Sequence, residues 1–73
     1  MRIIDERTTC RKTFVLESAE DAESCMRALR EKIQKENGVN SVGVNNNEFY
    51  FEARTEEKAV QFGAKVKLWI ERL

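Results

Sequence analysis

With 73 residues, 41% of them hydrophobic, the chain has material for one small domain around one core and is not a disordered tail. Thirteen Lys and Arg balance thirteen Asp and Glu, a neutral total that removes the long-range attraction of a general nucleic-acid or anionic-membrane binder. No apolar run approaches the roughly 20 residues of a membrane-spanning helix, and two Cys without any His leave little for a transition-metal site or proton relay.

Charges interrupt Met1-Arg2-Ile3-Ile4-Asp5-Glu6-Arg7 before an apolar signal region forms, so no secretory signal is visible. Cys10 and Cys25 then read as free thiols of a cytoplasmic protein, since one possible bridge is not a disulfide framework. Pro is absent and Gly occurs only at 38, 43 and 63, so no linker divides the chain. Arg2–Asp5 is compatible with an extra N-terminal strand.

Over 11–17, Phe14 and Leu16 alternate with Thr13 and Val15, which predicts a strand. Ser18 with Asp21 three residues on predicts a helix N-cap. Ala22, Cys25, Met26, Leu29 and Ile33 then fall on one side of a helix, with acids in its first turns and bases later, as the macrodipole prefers. Asn37-Gly38 supplies a left-handed stop. Next, Val42 and Val44 alternate, as do Phe49, Phe51 and Ala53. A two-residue loop at Asn46-Asn47 places Val44 opposite Phe49 and Val42 opposite Phe51, with both apolar sets on one hairpin face. Thr55 caps a second helix whose buried stripe is Ala59, Phe62, Gly63, Val66, Trp69, Ile70 and Leu73; Gly63 predicts a close approach to the sheet or the first helix.

The expected fold is therefore α+β, a small β-α-β-β-α sandwich with two helices on one face of a three-stranded sheet, or four-stranded if 2–5 joins. Where the first strand pairs cannot be read from local pattern.

Three surfaces are candidates for function. On the second helix, opposite its core stripe, Val60, Ala64 and Leu68 recur every four residues and suit a docking strip for another chain; as scattered surface apolar residues they need no function. The sheet's open face would show Thr13, Val15, Ser41, Gly43, Tyr50, Glu52 and Arg54, with Val15 and Tyr50 as its contact residues, for a protein partner or a second copy. It lacks the interleaved aromatic and basic residues of an RNA-binding sheet. Arg7, Arg11 and Lys12 are the remaining candidates, for a local anion or nucleic-acid site. No nucleophile-base set, phosphate-cradling loop or paired-carboxylate signature is readable, so no catalytic, cofactor or metal residue is assigned. Cys25 reads as a core thiol and Cys10, beside Arg11 and Lys12, as the better candidate for reactivity.

Two family resemblances accompany these readings. The element order and the run from Cys25 through Gly38-Val39-Asn40-Ser41-Val42-Gly43-Val44 resemble a heavy-metal-associated domain. Ala22 stands three before Cys25, so that resemblance implies the fold without the two-thiolate metal site. Val42-Gly43-Val44, Phe49-Tyr50-Phe51-Glu52-Ala53-Arg54-Thr55-Glu56-Glu57-Lys58 and Trp69 resemble the DinI-like family of small bacterial and phage-borne regulators. That resemblance implies non-catalytic binding to RecA filaments. Its final helix is acidic in the family, whereas residues 55–73 here hold four bases and three acids. The leading expectation is a small non-catalytic interaction module that binds a larger protein, with a homodimer as a related outcome and nucleic-acid binding through the basic trio as the alternative.

Overall fold

In the computed structural model, which describes residues 1–73, the element order is β1 (Ile3–Thr8), β2 (Arg11–Leu16), α1 (Ala19–Gln34), β3 (Val39–Asn45), β4 (Glu48–Ala53) and α2 (Glu56–Glu71). The four strands form one antiparallel sheet in the order β1-β2-β4-β3. The fold is thus α+β as expected, with the N-terminal strand realised as Ile3–Thr8. No helix is long and apolar enough to cross a membrane.

Both helix starts follow from their caps. Ser18 Oγ accepts the Asp21 N–H at 3.1 Å, and Thr55 Oγ1 accepts the Lys58 N–H at 3.1 Å, each from extended backbone. Gly38 takes φ +93° after α1, the left-handed position expected there, and its carbonyl accepts the Arg54 N–H at 2.9 Å. The β3–β4 hairpin has the predicted register, Val44 with Phe49 and Val42 with Phe51. Only Asn46 of its two loop residues takes a positive φ, 56°. The other loop residue, Asn47, is held by β2: its side-chain amide donates to the Leu16 carbonyl and its own carbonyl accepts the Leu16 N–H. The hairpin tip and the end of β2 therefore support each other.

The core lies between the helices and one sheet face. Phe14, Leu16, Phe49 and Phe51 meet Ala22, Cys25, Leu29 and Ile33 of α1 and Ala59, Phe62, Val66 and Ile70 of α2. Phe62 packs edge-on to both Phe51 and Trp69, at centroid distances of 5.4 and 5.8 Å. Two members of the expected α2 stripe sit differently. Leu73 is half exposed because the helix ends at Glu71, beyond the cover of the sheet. Trp69 is only partly buried, turned toward α1, where the Lys32 ammonium stands 4.1 Å from its ring centre. Gly63 lies against the sheet: a Cβ there would come 3.1 Å from Lys12 Cγ.

Candidate functional site

Strand alternation decides what the two sheet faces carry. On β2, Lys12, Phe14 and Leu16 point to the helices, and Arg11, Thr13 and Val15 point away. The three bases read together in the sequence are therefore split. Arg7 and Arg11 stand on the open face, and Lys12 lies under α2, 9% exposed, with its stem against Gly63. Each has a carboxylate. Arg7 meets Glu48 at 2.7 Å, Arg11 meets Glu52 at 3.4 Å, and Lys12 donates to Glu6 at 2.8 Å and to Thr8 Oγ1 at 3.0 Å. Glu6 also takes Lys67 of α2 at 2.9 Å, so one carboxylate joins β1, β2 and α2. The Lys12 hydrogen bond, ahead of the contribution from Lys67, holds the Glu6 carboxyl below its ordinary range against the opposing effect of burial.

The open face is a polar layer closed on itself. Tyr50 leans over Gly43 of the neighbouring strand; a Cβ at Gly43 would come 2.5 Å from its Oη. The Arg11 guanidinium covers the same ring at 4.0 Å. Beside them, Ser41 donates to Glu52 at 3.2 Å. Val15 is partly buried in this layer. The structure thus brings Tyr50 and Val15 onto one face, as expected, but Tyr50 is already engaged on both sides. Sequence reading missed Arg11 as its partner, although Arg11 has the same strand parity as Thr13 and Val15.

Val60, Ala64 and Leu68 differ in being exposed apolar side chains in a row along one helix. They lie on α2 away from the sheet, with Val60 54% and Leu68 52% exposed and Ala64 exposed between them. Of the large hydrophobic residues, these two share their exposure only with Ile4 in the β1 bulge and Leu73 at the chain end. The strip spans two helical turns, about 12 Å.

The thiols have opposite settings. Cys25 is fully buried, 3.4 Å from the Met1 sulfur, and burial, with the Asp21 charge second, pushes its thiol up to about 11. Cys10 is exposed in the β1–β2 turn, and the two are not bridged. No three Cys, Asp or Glu side chains converge as metal ligands, and the surface has no pocket. No family model, no curated protein and no solved structure matches the chain.

Proposed function

We propose that the chain is a small, non-catalytic regulatory module of the cytoplasm that binds a larger protein through Val60, Ala64 and Leu68. The carrying observation is that two of the four exposed large hydrophobic residues, with the exposed Ala64 between them, line up on one face of a helix. Apolar side chains spaced by four on a rigid helix fit a complementary apolar groove, and each can lose its water without stranding a polar group. The open sheet face supports the reading less well. A partner there would have to displace Arg11 from Tyr50 or add to a layer whose charges are already paired.

The test is capture of binding proteins from the source cell by the unmodified chain, Leu68→Glu and Tyr50→Ala, with nuclease present. A partner held by the unmodified chain and by Tyr50→Ala, but lost by Leu68→Glu at an unchanged melting temperature, supports the strip. A partner that Leu68→Glu retains rules the strip out. Capture abolished by nuclease directs attention to nucleic acid.

A further inference from the structure

The sheet has two free edges, and they are built differently. In β1 the free edge carries Asp5, Glu6 and Arg7, is broken by an irregularity between Ile3 and Asp5, and is tied to α2 through Glu6 and Lys67. Charges and a bulge of this kind protect an edge from further pairing. The β3 edge, Val39-Asn40-Ser41-Val42-Gly43-Val44-Asn45, holds no charge, and its only irregularity lies at one end, between Val39 and Ser41.

The register shows which β3 backbone groups are free. Hydrogen bonds from the Leu16 N–H to the Asn47 carbonyl and from the Ala53 N–H to the Cys10 carbonyl show that odd-numbered β4 residues bond to β2. Even-numbered ones therefore face β3 and pair with Ser41, Gly43 and Asn45. Val42 and Val44 are left with N–H and C=O groups pointing off the sheet.

We propose that β3 pairs antiparallel with β3 of a second copy of this chain, about a two-fold axis at Gly43, joining two four-stranded sheets into one. Around that axis Val42 of each copy faces Val44 of the other, so the four outward groups on each strand edge find partners in the unbulged part of the strand. Both Val side chains lie on the helix side and meet across the axis. Gly43 meets Gly43 as the pair that exchanges no hydrogen bond, where the Cα atoms come closest.

The helix above the edge fits the same axis. Because α1 sits over β3 and β4 and strands are spaced about 4.8 Å apart, its two-fold mate stands roughly 10 Å away, a usual helix-packing distance. Lys32 marks the α1 flank that faces α2, so the opposite flank, with Glu23, Met26, Arg27 and Arg30, overhangs the free edge. Gly43 lies about 13 Å along β3 from Val39, equivalent to roughly nine helical residues back from the end of α1, level with Cys25. An axis there brings Glu23 of each copy to Arg27 of the other. The two already pair within one chain at 3.8 Å and are well exposed, so the dimer closes them into an alternating ring of four charges. Acids at the start of α1 and bases later make antiparallel packing attractive and parallel packing repulsive.

The helix that carries the apolar strip, α2, packs on β1, β2 and β4 but not on β3, so each copy keeps its own strip free of this edge. Sedimentation equilibrium of the full chain across rising concentration tests the pairing. A dimer of two 8.5 kDa chains, with a dissociation constant on the order of micromolar, is expected. Glu23→Arg and Arg27→Glu should each weaken it by about tenfold or more, a step of roughly 1.4 kcal/mol, while a mixture of the two variants restores association. Val44→Pro, which removes an outward N–H unused within the chain, should weaken it too, and Leu68→Glu should not. A chain that stays monomeric up to about millimolar concentration overturns the proposal. So does a dimer indifferent to both Glu23→Arg and Val44→Pro, or one dissolved by Leu68→Glu, which would place the self-interface on α2.

Discussion

The two faces of the sheet use the same strands to solve opposite problems. Toward the helices, Phe14, Phe49 and Phe51 are wholly buried and depend on shape. Toward solvent, Arg7, Glu48, Arg11, Tyr50, Glu52 and Ser41 form pairs and a ring stack that depend on partner matching. The first face holds the fold together because apolar area leaves water there, at roughly 25 cal/mol per Å2. Pairs on the second stand in water, where each is worth little. Lys12 is the exception that crosses the division: a charge on the buried face, tolerated because Glu6 and Thr8 receive it.

Of the substitutions that separate the two faces, the largest effect is expected at Phe51→Ala. It should cost about 3–5 kcal/mol in denaturant unfolding, from lost transfer energy and the cavity left beside Phe62. A loss below 1 kcal/mol would mean that the core collapses around the gap. Tyr50→Ala, the adjacent residue on the other face, should cost much less.

Gly43→Ala should be intermediate, about 1–3 kcal/mol, because the new methyl displaces the Tyr50 ring from its seat. The double variant Gly43→Ala with Tyr50→Ala should recover most of that loss, and simple additivity of the two would show that the ring was not the obstacle.

The Lys12–Glu6–Lys67 cluster adds a pH dependence. Glu6 titrates lower folded than unfolded, so its stabilisation is fully present above the ordinary value of 4.5 and is lost as pH falls through the folded value. Lys12→Met should flatten this acid limb of the stability curve, since the leading cause of the shift is gone; an unchanged limb would assign it to other carboxylates. The smallest effect belongs to Arg7→Ala, which removes an exposed ion pair and should leave the unfolding midpoint where it was. Thiol chemistry draws the same line between inside and outside: near pH 8, a thiol reagent should modify Cys10 while Cys25 stays unreacted until the chain unfolds.

Legibility in the sequence followed the range of each interaction. The caps at Ser18 and Thr55 act over three residues, and the Val42/Val44 to Phe49/Phe51 register acts across a two-residue loop. Both were readable because all the information lies in one short window. The extent of β1 was harder to see, since Asp5-Glu6-Arg7 has no apolar alternation. Its strand character depends on Glu6 and Thr8 facing a lysine that itself lies under a helix. The exposed apolar strip on α2 was legible as a four-residue period, whereas the Arg11–Tyr50–Gly43 stack was not, because its members come from three strands.

By itself, the sequence determined that two capped amphipathic helices and a Val/Phe hairpin must share one core, because cap chemistry and side-chain periodicity are properties of neighbouring residues. Tertiary structure alone decided that β2 inserts between β1 and β4, that β3 becomes an uncharged edge, and that Arg7, Arg11 and Lys12 separate to two faces with a carboxylate each. Those outcomes rest on which strands pair across long stretches of chain, and that choice is made by the summed burial of the whole core rather than by any local pattern.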